Sequence, residues 1–291
     1  MNVCWAESYS VFKELSTWLD WSSMTTLRFG IAAVVLLCCW PWLHGSMPRN
    51  RDLFRAILIG VMVFVLAPRL QVAGVQRGKA ADASVLLALE PLIVSIGVGI
   101  FLRERIGLRR WIGFALGLSG VLFMANVWQP DFHWSALTAN ALVILSLFCD
   151  AVYSVAGKPL LADAGSLKVM TVALIAGSVT NLCLDGLHTI RRASALPGGG
   201  WLLVAFLSVV CTLAGYWLWF VAIRETNVST VALTVFVQPL AGIAIAVAFL
   251  RESVRWEQLW GALAIFAGIV IGLLHQIQPP PSIPECTSLE V

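Results

Sequence analysis

Nine stretches of this chain stay apolar for about 20 residues each, the length an α-helix needs to cross the hydrocarbon of a bilayer. They fall at about 23–43, 54–73, 81–102, 109–128, 136–157, 169–187, 201–223, 229–250 and 257–275. A soluble domain is about 45–50% apolar and about 25% charged. This chain is 59% hydrophobic and 12% charged, with a mean hydropathy of +0.86. The fold class read from these numbers is an all-α polytopic membrane protein. Its 13 tryptophans suit that class, because indole favours the membrane interface. Most connections are short, which predicts antiparallel neighbours. The longest runs from about Leu187 to Gly200 and contains RRASALPGGG, a loop by its Pro and Gly content. The Pro-rich end predicts a disordered tail over 276–291.

Several functions are disfavoured by what the loops and spans carry. The net charge of +3 is spread thinly and forms no basic stripe, so no nucleic-acid partner is expected. Seven cysteines form no C-x-x-C pair, and six lie in or beside apolar stretches, which predicts neither disulfides nor a metal site. His44, His133, His188 and His275 fall in loops or at helix ends, and neither H-E-x-x-H nor G-x-S-x-G occurs. The chain is therefore not expected to be an enzyme or to hold a cofactor. The N-terminal MNVCWAESYSVFKEL lacks the basic start and clean apolar core of a signal peptide.

The spans are not independent of one another. FLRE occurs at Phe101–Glu104 and again at Phe249–Glu252, an offset of 148 residues. At that offset Pro91 falls on Pro239, Gly113 on Gly261 and Gly120 on Gly268. The repeated unit is a long apolar helix, a charged turn and a second helix with a Gly near its start. Glycines seven residues apart share a helix face and permit close approach. The same offset sets the span at 136–157 against a first helix whose opening half is missing from the chain as written. YSV at Tyr9–Val11 and YSV at Tyr153–Val155 echo one another there, with one residue of slippage. The expected plan is ten transmembrane helices, the first truncated, in two halves at 1–128 and 129–275. Five is odd, so tandem halves enter the membrane from opposite sides. This inverted repeat is a common ground plan of secondary transporters. With the N-terminus inside, inner loops of the first half hold seven Lys and Arg against three outside, and the whole chain ten against seven. The bias predicts cytoplasmic N- and C-termini in a plasma or inner membrane.

Three segments carry a wider likeness: LRFGIAAVVLL (27–37), ASVLLALEPLIVSIGVGIFLRERIGLRRWIGFALGLSGVLF (83–123) and STVALTVFVQPLAGIAIAVAFLRESVRWEQLWGALAIFAGIVIG (229–272). They resemble the EamA-type family of the drug/metabolite transporter superfamily, over nearly the whole chain. The resemblance implies a ten-helix carrier that moves small metabolites or drugs, as an exporter, by alternating access. The short first helix departs from the family pattern and leaves a second reading open, a membrane scaffold that transports nothing. The partners expected are a small-molecule solute and the lipid bilayer, with a homodimer left open.

Polar residues inside the spans are the candidate site. Glu90 lies near the middle of the fourth helix of the ten-helix plan (81–102), just before Pro91, where a charge costs about 2.5–3.5 kcal/mol on insertion scales. Gln238 precedes Pro239 at the matching place in the ninth helix (229–250). Each proline removes a backbone hydrogen bond and loosens the turn before it. Glu90 is therefore a candidate proton or cation acceptor, against the plainer reading of a carboxyl that fastens two helices. Asp150, in the sixth helix of that plan (136–157), either lines the same cavity or meets Lys158 at the membrane edge. Arg28, in its second helix (23–43), either binds an anionic group of the solute or pairs with a carboxylate such as Glu7. Tyr153, Tyr216, Trp217, Trp219 and Trp5 are candidates for an aromatic face toward a solute, and more often such residues are packing or interface anchors. Arg69 is expected to snorkel to water. Glu104 and Glu252 are expected to brace the two charged turns.

Overall fold

A computed structural model of the chain describes residues 1–43, 45–77, 86–125, 127–128, 137–163, 165–241, 244 and 256–274. Among the described residues every regular element is a helix. In chain order they are α1 (Asn2–Leu15), α2 (Trp21–Cys38), α3 (51–77), α4 (Glu90–Phe101), α5 (Leu108–Met124), α6 (Leu137–Asp163), α7 (Ser166–Ala193), α8 (Gly198–Glu225), α9 (Val228–Ala241) and α10 (Trp256–Leu273). Six are long and apolar enough to cross a membrane: α2, α3 over Arg51–Gly74, α6, α7, α8 and α10. α4 and α9 are shorter apolar helices, and α5 has 17 residues. The first part of the expected span at 81–102, the end of that at 229–250, the second FLRE turn and the expected tail at 276–291 lie outside the described residues.

Local chemistry sets where these helices begin and end. Asp20 caps α2: its carboxylate accepts the Ser23 amide at 3.3 Å and the hydroxyls of Ser22 and Ser23 at 2.6 and 2.8 Å. The His188 ring meets Oδ1, the oxygen that also accepts the Ser23 hydroxyl, at 3.0 Å and ties the cap to α7. α2 stops at Cys38, short of the expected 43, and the chain turns into a 3₁₀ segment at Trp40–Trp42. Pro41 in that segment cannot donate the hydrogen bond that would extend α2. α6 and α7 outrun their apolar cores, to Asp163 and Ala193, and helix there continues past the residues that lipid requires.

The packing pairs helices that the 148-residue offset matches. α2 packs on α7, α4 on α9 and α5 on α10. The α5–α10 contact is made by glycines. A methyl added at Gly113 would lie 2.7 Å from the Gly268 carbonyl oxygen, and one at Gly268 would lie 2.7 Å from that of Gly113. Gly120 and Gly261 meet in the same reciprocal way, at 2.5 and 2.6 Å. Residue numbers rise along one helix as they fall along the other, so α5 and α10 are antiparallel.

Both α3 and α8 widen into a π-helical stretch, at Met62–Leu66 and at Leu207–Ala214. Shifted by the repeat offset, 62–66 falls on 210–214, inside the second stretch. Such widenings free backbone carbonyls from the regular ladder. Side chains from other helices take them up: Asn181 donates its amide to the Phe64 carbonyl at 2.9 Å, and the Trp5 indole donates to the Cys211 carbonyl at 2.9 Å. The main core takes in the first of these stretches through Val63 and Phe64. It includes Phe29, Phe64, Tyr153, Met170, Trp219 and Phe220, contributed by α2, α3, α6, α7 and α8.

Candidate functional site

α6 and α8 bring four of the five aromatic candidates together with α1. The Tyr153 hydroxyl donates to the Tyr216 carbonyl at 2.9 Å, and its ring stacks on Phe220 at 4.2 Å with a 2° tilt. The Trp219 indole donates to the Ser154 hydroxyl at 3.0 Å. Trp5 lies 5.4 Å from the Tyr216 ring and 5.7 Å from that of Trp219. Phe64 on α3 meets Tyr216 edge-on at 5.2 Å. Trp217, the fifth aromatic, faces outward and is 39% exposed. Successive residues of a helix point about 100° apart, so Tyr216 and Trp219 share a face that Trp217 leaves.

Arg28 enters this region from α2 and is 9% exposed. Its Nε donates to the Thr212 hydroxyl at 2.6 Å, and Thr212 in turn donates to the Leu207 carbonyl at 2.9 Å within the π-helical stretch. The guanidinium carbon lies 5.4 Å from the Phe12 ring and 5.3 Å from the Phe29 ring. Among the described residues no ion pair joins Arg28 to Glu7 or to any other carboxylate. The Cys211 thiol feels the charges of both Arg28 and Glu7, which places Glu7 in the neighbourhood without pairing the two.

The second part of the site is a pair of acids. α4 packs on α6, and Glu90 and Asp150 come within electrostatic reach of each other. Both residues are partly buried. Neither carboxylate is salt-bridged among the described residues. Lys158, the alternative partner for Asp150, donates instead to the Thr226 carbonyl at 2.8 Å. Asp150 and Tyr153 stand three residues apart on α6 and link the acids to the aromatic group. α4 starts at Glu90, with Pro91 in its first turn and Ala88 and Leu89 in a turn ahead of it. In α9 a 3₁₀ stretch at Thr234–Phe236 precedes Gln238 and Pro239. Both prolines thus follow a loosened turn. Gln238 is partly buried.

Arg69 departs from the expectation that it reaches water. It forms an ion pair with Asp185 and donates to the Asn181 side chain at 3.2 Å, with its guanidinium 5.6 Å from the Trp21 ring. A carboxylate within reach gives the guanidinium a better partner than the bilayer edge. Sequence reasoning passed over Asn181 and Asp185, although two polar residues four apart in an apolar span mark one helix face. It also passed over Thr212, whose part depends on a π-helical stretch with no sequence signature. Glu104 braces more than its own turn: it accepts the amides of Val228 and Ser229 at 3.1 Å each, and the Ser229 hydroxyl. Arg110 donates to both Glu104, at 3.4 Å, and Ser229, at 2.6 Å.

Comparison with known proteins agrees with this architecture. The EamA-like transporter family model matches residues 1–126 and 137–274. An "Uncharacterized transporter" of Archaeoglobus fulgidus is 24% identical, with 92% of this chain and 94% of the relative covered. The transporter YyaM of Bacillus subtilis, also uncharacterized, is 23% identical over 86% of this chain and 83% of its own. A "Probable terminal-alkyne amino-acid exporter" of Streptantibioticus cattleyicolor is 25% identical over 92% of this chain and 89% of its own. One solved crystal structure superposes with a TM-score of 0.77 over 94% of both chains at 15% identity, a likeness of fold.

Proposed function

Because this chain belongs to the EamA-like transporter family, we propose that it is a secondary active transporter that exports small metabolites or drugs across the cell membrane by alternating access. A family of transporters implies a small solute and a multi-pass membrane protein rather than an enzyme. A relative named as an amino-acid exporter supports the outward direction and a small polar solute. Two inverted halves, 1–128 and 129–275, are the framework of the proposal. The antiparallel glycine contact of α5 with α10 and the matched π-helical stretches in α3 and α8 support it. Rocking of such halves about a shared axis opens a central site to either side in turn. Both termini are placed in the cytoplasm by the Lys and Arg bias of the loops.

The observation that carries coupling is the Glu90–Asp150 pair. Two like charges within electrostatic reach of each other in a low-dielectric span are costly. A proton or a monovalent cation shared between them removes that repulsion, and release on the far side returns it. The aromatic group of Trp5, Tyr153, Tyr216 and Trp219 then forms the wall against which the solute lies, next to the acids. Flux in proteoliposomes under an imposed pH gradient tests the reading. Glu90→Gln and Asp150→Asn are each expected to lower gradient-driven flux at least tenfold while exchange of solute without a gradient persists. Unchanged pH dependence in both variants would remove coupling from this pair, and absence of flux for every solute would favour the scaffold.

A further inference from the structure

We infer that Arg28 is the anchor for a carboxylate on the solute, so that the carrier selects monoanionic or zwitterionic acids with an apolar body. The inference rests on the transporter reading and names the solute class of that same site. A guanidinium that is nine-tenths buried is expensive unless an anion meets it. Among the described residues no carboxylate is paired with Arg28, which leaves the anion to the solute. What the protein supplies is orientation. Thr212 fixes Nε at 2.6 Å and is itself fixed by the Leu207 carbonyl. With the Nε edge occupied, the two terminal nitrogens offer a parallel pair of donors. That fork matches the two oxygens of a carboxylate.

The surroundings narrow the choice further. Phe12 and Phe29 flank the guanidinium at 5.4 and 5.3 Å. Their faces favour the cation and exclude water, which strengthens a charge-assisted hydrogen bond. The Trp5 indole, held on the adjacent Cys211 carbonyl, leads from this point to Tyr216 and Trp219, and offers apolar contact to the rest of the solute. A single guanidinium balances one negative charge, so a carboxylate suits the site better than a phosphate.

Purified protein in detergent, followed by its melting temperature and tryptophan fluorescence, provides the test. The probes are acid–amide pairs, namely L-alanine, L-leucine, L-phenylalanine and benzoate with their primary amides, together with inorganic phosphate. At least one acid is expected to bind ten-fold or more tightly than its amide, and phosphate to bind no better than the amides. Arg28→Lys keeps the charge without the fork and is expected to weaken that acid ten-fold. Thr212→Val keeps the guanidinium and frees its tether, and is expected to weaken the acid several-fold in a protein that stays monodisperse. If no acid outbinds its amide, or Thr212→Val and Arg28→Lys both bind the acid as the wild type does, the carboxylate anchor is wrong. Selective phosphate binding would also overturn it, in favour of a phosphate site. Proteoliposome flux separates the two levels of the argument. Transport of amides but not acids removes the role of Arg28 and leaves a transporter; acid binding without flux of any acid does the reverse.

Discussion

A methyl group on Gly113 would press on the backbone of α10, with the Gly268 carbonyl oxygen at 2.7 Å and the Gly272 Cα at 3.2 Å. Backbone cannot swing aside as a side chain can, so the helices must part. Gly113→Ala is expected to destabilise the protein by about 1–3 kcal/mol, the range for overpacked sites. Gly199, in the first turn of α8, has open space around an added methyl. Gly199→Ala is expected to stabilise by about 0.5–1 kcal/mol, because alanine loses less backbone freedom in a helix. Thermal unfolding in detergent reads both, and equal behaviour of the two variants would mean that α5 and α10 do not meet through these glycines. The glycines were legible in the sequence because their spacing repeats. Glu90 and Asp150 were legible too, because an acid in an apolar span stands out against its neighbours. Their proximity was not, since it depends on how α4 rotates against α6. The fates of Arg69 and Trp217 were hidden for the same reason: one residue of helix phase separates a buried partner from lipid.

At the scale of elements, the start of α9 is held by a side chain that lies 124 residues earlier in the chain. A helix begins with amides that have no partner within it, and a carboxylate there satisfies them and favours the positive end of the dipole. Glu104 does this for Val228 and Ser229, from a turn in which Arg103 takes a positive φ of 54°. Arg110, 8% exposed, closes the cluster. Glu104→Gln leaves Arg110 buried beside a neutral group, and loss of one partner from a buried ion pair costs about 3–5 kcal/mol. The expected outcome is faster hydrogen exchange at the amides from Val228 to Ala232, with α2 and α7 unaffected. Exchange unchanged at Ser229 would show that the turn does not hold α9. The sequence pointed to a bracing role for the FLRE turn, but its target is set by tertiary contact and lies beyond any local pattern. The cap on α2 differs, since Asp20, Ser22 and Ser23 form a local signature. Burial of Asp20 raises its pKa, but the hydrogen bonds from Ser22, Ser23 and His188 outweigh this and hold it below the usual carboxylate range. A depressed acid stabilises the fold at pH above its unfolded value. That contribution is lost as the pH falls through the folded one, so the cap persists into strong acid.

For the molecule as a whole, the direction of each helix is the strongest constraint, because a single reversal changes which face every loop occupies. α5 and α10 match each other at the 148-residue offset, and their glycine contacts run in opposite order along the two helices. A tandem pair without inversion would set these helices parallel and pair Gly113 with Gly261 instead of Gly268. Inversion therefore makes a prediction about the whole topology from one interface. A cysteine at Gly107, which precedes α5 and has open space around it, and a cysteine at Glu257, in the first turn of α10, are expected on opposite faces of the bilayer. With the native cysteines replaced, a membrane-impermeant maleimide added to intact cells should modify Glu257→Cys, and Gly107→Cys only after lysis. In this proposal the Lys and Arg bias supports which of the two faces outward, and the antiparallel contact supports that they differ. Labelling of both from outside would contradict the inverted halves and with them alternating access. Labelling in the reversed order would keep the carrier and turn only its orientation, and the exporter would have to be read from the other side.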